Sequence, residues 1–133
     1  MLKTVVLIVT VPVLIVALWG CSSGPLLADV RVSPQTITPN ADGLDDVTRI
    51  SYRLNDSADL SIYLIDDQGN RHYFRDSRRR SEGDYQVDFG GVVNGSMLPD
   101  GTYTWMVEAV ADSGETVSQN GQLIIRNADT AKP

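Results

Sequence analysis

The chain holds one cysteine, Cys21, and one histidine, His72, and these counts bound the chemistry open to it. A lone thiol forms no intrachain disulfide, and one Cys with one His supplies too few ligands for a zinc centre. His72 would have to be the base in any Ser-His or Cys-His arrangement. It alternates with Arg71 and Tyr73 on a short strand-like run, however, and so reads as a solvent-facing residue. The pair Asp66-Asp67 lies in the turn-like stretch DDQGN, where Asp bonds nearby backbone rather than acting as acid or base. The sequence presents no catalytic set, and an enzyme is not expected.

Two other groupings are suited to binding. Asn40, Asp42, Asp45 and Asp46, in NADGLDD, place side-chain oxygens around Gly43. Calcium takes such hard donors in sets of about six to eight, although the stretch lacks the bidentate Glu of an EF-hand loop. A turn whose Asn and Asp side chains bond backbone amides accounts for the same residues. Calcium is thus the one cofactor suggested, and none is required. Arg71, Arg75, Arg78, Arg79 and Arg80 form the only concentrated positive charge in the chain. Guanidinium groups bind carboxylates and phosphates bidentately. This basic hairpin is the expected contact for an acidic partner, the alternative being a solvated loop between sheets.

The setting of Cys21 gives it a use. Met1-Leu2-Lys3 is a short positive start, Val5 to Trp19 is an almost unbroken apolar run, and small Gly20 precedes the cysteine. That order is the secretory pattern, with residues 1–20 as the signal peptide. Leu18-Trp19-Gly20-Cys21 resembles the lipobox of bacterial lipoproteins, with Trp19 in place of a small or aliphatic residue. The resemblance implies that the chain is cut before Cys21, that the thiol carries diacylglycerol, and that the new N-terminus is acylated. The alternative is an uncleaved membrane helix, but the run of about 15 residues falls short of the roughly 20 that span a bilayer core.

Removal of residues 1–20, whose only charged residue is Lys3, takes the net charge from −6 to −7. An acidic body argues against nucleic-acid binding, which needs a basic surface. The 113 residues that remain suffice for one domain with a single core. Residues 21–28 read as the lipidated cysteine and a tether, 29–126 as the domain, and 127–133 as a frayed, disordered tail.

Between tether and tail, short alternating runs are separated by turn signals. Ile50, Tyr52 and Leu54 share one face of TRISYRL, and Leu60, Ile62 and Leu64 one face of DLSIYLI, with Tyr63 opposite. Residues 60–75 form a predicted hairpin around Gly69. Tyr85, Val87 and Phe89 alternate in YQVDF, and Tyr103, Trp105, Val107 and Ala109 in TYTWMVEAV, which puts Trp105 in the core. Gly121 reads as a bulge in the closing strand. About seven strands and no helix after the signal predict an all-β, antiparallel sandwich of the immunoglobulin or fibronectin-III kind.

Residues 32–110 resemble the bacterial immunoglobulin-like domain of the flagellar hook-capping protein and of the C-termini of many secreted bacterial proteins. Thr38-Pro39-Asn40-Ala41-Asp42-Gly43 matches the opening of that pattern with Ala41 for Gly. Asp100-Gly101-Thr102-Tyr103 matches its ending, and Phe89-Gly90-Gly91 replaces Trp-Asp-Gly. The resemblance implies the fold and a binding or scaffolding role. The expectation is an exported module, lipid-anchored to the outer face of the plasma membrane or to the outer membrane, that serves as accessory subunit of an envelope or surface assembly. A carbohydrate-binding accessory to an envelope enzyme and a calcium-stabilised spacer are the rival readings.

Overall fold

The computed structural model describes residues 24–130. Those residues contain strands and no helix: β1 Leu27–Ser33, β2 Thr36–Ile37, β3 Thr48–Leu54, β4 Ala58–Ile65, β5 Arg71–Arg80, β6 Gly83–Phe89, β7 Val92–Val93, β8 Ser96–Met97, β9 Gly101–Ala111 and β10 Thr116–Ile125. A three-stranded sheet, β1-β3-β6, faces a five-stranded sheet, β2-β10-β9-β4-β5, and β7-β8 is a small separate hairpin. The sandwich class is as expected. The strands beyond about seven are the two-residue β2, β7 and β8, too short to show a period.

Alternation built the core as the sequence implied. Ile50, Tyr52 and Leu54 from β3, Leu60, Ile62 and Leu64 from β4, Phe89 from β6, Tyr103, Val107 and Ala109 from β9, and Leu123 and Ile125 from β10 are all buried together. Thr48, fully buried, donates its hydroxyl to the Pro34 carbonyl at 2.7 Å, so its polar group is satisfied.

Three boundaries and one irregularity differ from expectation. Leu26 and Leu27 are buried and Leu27 pairs with Leu54, so the domain starts inside the tether expected through residue 28. Past β10, the amides of Asn127 and Ala128 donate to the Asp100 carboxylate, and that of Asp129 donates to the Pro39 carbonyl. The chain therefore stays pinned to the body where a tail was expected. The run Arg75 to Arg80 is not a loop but the second half of β5, held in place by pairing with β4. Finally, β10 runs past Gly121 with no shift of register against β9, Gly121 standing opposite Trp105. The residue is not a bulge. A Cβ there would sit 2.6 Å from the indole, so glycine is the space in which Trp105 lies half-buried.

The strand register also sorts the loops to two poles. The chain enters at Leu27, beside Leu54 and Gly83, and the turn after Ala111 lies at this same end, since Ala111 pairs with Ala58. The Thr38–Val47 segment, the β4-β5 turn, the β7-β8 hairpin and residues 126–129 occupy the opposite end.

Candidate functional site

Cys21 and the residues before it lie outside the described residues. The acidic stretch is a self-bonded turn. The Asp46 carboxylate accepts from the amides of Asn40, Ala41 and Gly43 at 3.2, 2.9 and 2.7 Å. Asn40 accepts from the amide of Asp42, and Asp42 from that of Leu44. These oxygens point at backbone, and among the described residues no three acidic, His or Cys side chains gather where they could hold a metal ion. What the turn does is thrust Leu44 outward, 71% exposed.

Leu44 is not alone. Val47 and Val92 are the other large apolar residues left exposed at this end. Val47 and Val92 border a depression of about 320 Å³ to which Pro39, Gly90 and Met97 add apolar surface and Asn40, Asp46 and Asp129 polar surface. Gly91, at φ 84°, brings the backbone close to Met97: a side chain there would meet the Met97 sulfur at 2.9 Å. Sequence reasoning missed this apolar pole. Its one legible signal was a leucine inside an otherwise polar turn.

The five arginines are brought together only in part. Arg75, Arg78 and Arg80 stand opposite Ile62, Leu60 and Ala58, and directly opposed residues share a face. These three therefore lie on the inner side of the sheet, where β5 and β6 form the open edges of the sandwich. Arg79 stands opposite Asp59 on the outer side and forks onto Asp112 at 2.6 and 2.9 Å. Arg71, at the far end of the strand, lies over the Tyr63 ring at 5.1 Å. Two register shifts, flanking Ile62, and the left-handed Ser77 at φ 46° accommodate the extra β5 residues.

His72 is half-buried, not solvent-facing, because it stands opposite Leu64 on the inner side of the hairpin. Its Nε2 lies 2.9 Å from Asp66 Oδ2, and the other Asp66 oxygen accepts from the amides of Gln68 and Asn70. The carboxylate thus organises the β4-β5 turn, as expected of Asp there. The His72 hydrogen bond, followed by those from the turn, pulls the Asp66 carboxyl from 3.8 down to about 2.

The strands that set both poles and both open edges lie within one recognisable unit: the CHU_C type IX secretion signal domain model matches residues 31–125. The chain belongs to that family. The matched span runs from β1 to the end of β10 and so takes in the acidic turn, the apolar pole and the arginine-bearing strand of the type IX domain. Membership makes the chain a secreted or exported protein with an immunoglobulin-like module. Among curated proteins none matches it significantly.

The lowered Asp66 carboxyl gives the type IX domain an acid-sensitive turn. A carboxyl depressed on folding stabilises the folded state above its ordinary value and loses that contribution as pH falls through the folded one. The melting-temperature gap between wild type and Asp66→Ala should therefore be present at about pH 5 and narrow as pH falls between about 4 and 2. An unchanged gap at pH 2, followed by circular dichroism, would show that the ionised carboxylate is not what supports the turn.

Proposed function

We propose that this chain is a lipid-anchored envelope module that binds a protein of a larger envelope assembly through its apolar pole, and that it neither catalyses a reaction nor requires a cofactor. The observation that carries the reading is polar placement. The chain enters the sandwich beside Leu54 and Gly83, whereas Leu44, Val47 and Val92 stand at the other end. A lipid on Cys21, which precedes the entry, would leave that end facing away from the membrane. Exposed apolar residues around a depression are what a protein contact buries at its centre, with the acidic turn as polar rim.

Two alternatives find less support. A carbohydrate platform wants exposed aromatics, and Trp105 is half-buried over Gly121. A calcium spacer wants free oxygens, and those of Asp46 are taken by backbone amides.

The test is cross-linking in intact cells with the full chain. Val47→Asp and Val92→Asp together, being surface changes, should alter stability by about 0.5 kcal/mol or less each. They should also abolish the cross-linked species that wild type forms. A cross-link pattern identical to wild type in a correctly folded double variant would place the contact elsewhere on the domain.

A further inference from the structure

Arginines on this surface fall into two groups. Arg49 pairs with Asp88, Arg53 with Asp84 and Asp29, and Arg79 with Asp112 and Asp59. In these pairs the guanidinium hydrogen bonds hold the carboxyls of Asp84, Asp88 and Asp112 below the ordinary range. Arg75, Arg78 and Arg80 have no such partner: among the described residues, none has a carboxylate within 4.0 Å. Arg75 gives one N–H to the Phe74 carbonyl, and Arg80 one to the Arg79 carbonyl. Of the five arginines of β5, Arg79 has carboxylate partners and Arg71 lies over a tyrosine ring, whereas Arg75, Arg78 and Arg80 bring three cations with no carboxylate partner to one face of the strand.

The three border a slot between the sheets of about 140 Å³, whose far wall is Tyr52, Tyr85 and Gln86 and whose floor is Leu60 and Ile62. At about 30 Å³ per water, the slot has room for a small polyatomic group. Tyr52 and Tyr85 stack at 5.3 Å and fix the wall, and the Tyr85 hydroxyl is tied to the Ser81 carbonyl at 2.8 Å. Burial pushes the Tyr52 phenol up, so its hydroxyl stays protonated, although the Arg80 guanidinium opposes that shift. A donor-rich slot with an apolar floor and no internal anion suits a ligand with several acceptor oxygens in tetrahedral array.

We propose that Arg75, Arg78 and Arg80 form a binding site for a phosphate group, taken either from a phospholipid headgroup or from a soluble phosphate. The site lies at the half of β5 that ends beside Ala58 and the chain's entry, which brings it toward the membrane if Cys21 carries lipid. It is separate from the apolar pole and does not depend on that contact. Inward-pointing charges also guard open sheet edges against pairing, and that role by itself would bind nothing.

Calorimetric titration of the purified full chain in neutral detergent micelles distinguishes the sources. One arm adds inorganic pyrophosphate, and the other uses micelles doped with phosphatidic acid, with phosphatidylcholine as reference. Binding in the first arm identifies a soluble phosphate as sufficient, and binding in the second alone identifies the headgroup. Either should weaken about tenfold or more in Arg78→Ser, weaken further in the triple Ser variant, fall with salt, and remain unchanged in Arg79→Ser. Arg78→Lys, which keeps the charge and loses the fork, guards against a misfolded triple variant and should fall between. No binding in either arm, or equal binding by wild type and Arg78→Ser, would overturn the site and leave the arginines as edge guards.

Discussion

Replacement of Cys21 by Ser should remove the fatty-acid mass and leave the protein either uncleaved, with residues 1–20 still attached, or released to the soluble fraction. The thiol is the only group in the chain able to form the thioether to diacylglycerol, and serine offers a far weaker nucleophile at the same place. Each buried CH2 contributes about 0.8 kcal/mol, so a single acyl chain holds a protein marginally while two or more hold it stably. Loss of the attachment point is therefore all-or-none in the lipid mass of the N-terminus. The sandwich should be untouched, since its described core begins at Leu26. Mass spectrometry of the mature protein decides the matter. A wild-type N-terminus that begins before Cys21 and carries no lipid would end the anchored reading and leave the retained apolar segment as the tether.

Gly121→Val should be the most damaging small change within the sandwich. An ideal Cβ at Gly121 would lie 2.6, 2.7 and 2.8 Å from Cζ2, Cε2 and Nε1 of Trp105, and a flat ring has no flexible end to yield. Overpacking of this kind costs about 1–3 kcal/mol, a large share of the 5–15 kcal/mol typical of a domain. Trp105→Ala alone should cost less than the roughly 3–5 kcal/mol of a fully buried Trp, because Trp105 is only partly buried. In the double variant the new valine occupies part of the room the indole leaves. Its loss should then fall short of the summed single losses by about 1 kcal/mol or more in urea titrations. Additive losses would show that the indole swings aside freely and that the cross-strand pair is not a packed unit.

The Gly121-Trp105 pair also marks where sequence patterning stopped. Period-two alternation located β3, β4, β6 and β9 and nearly all of the core, because each buries one face, although β4 also buries Ser61 and Tyr63 on the other. A glycine in such a strand has two readings, an inserted residue or a vacancy for a neighbour, and only the register with β9 separates them. Arg75 to Arg80 was illegible for a different reason. With no apolar residue the segment carries no period, and its strand state is imposed by pairing with Ala58 to Ile62. Its division into an inner trio and an outward Arg79 follows from the register shifts alone. The apolar pole escaped because Leu44, Val47, Val92 and Met97 come from separate short segments that meet only once the strands have set their ends together.

The two residues of β2 lie parallel to the end of β10, Thr36 against Ile124 and Ile37 against Ile125, so the first part of the domain is sealed by nearly the last. That closure cannot form until almost the whole chain is present and ordered, and the entropy of so long a loop must be met before its contacts stabilise anything. Topologies of this kind acquire their native state in milliseconds to seconds rather than microseconds. During that interval the edge of β10 that β2 will cover stands open, so the last strand to be made is also the last to be sealed.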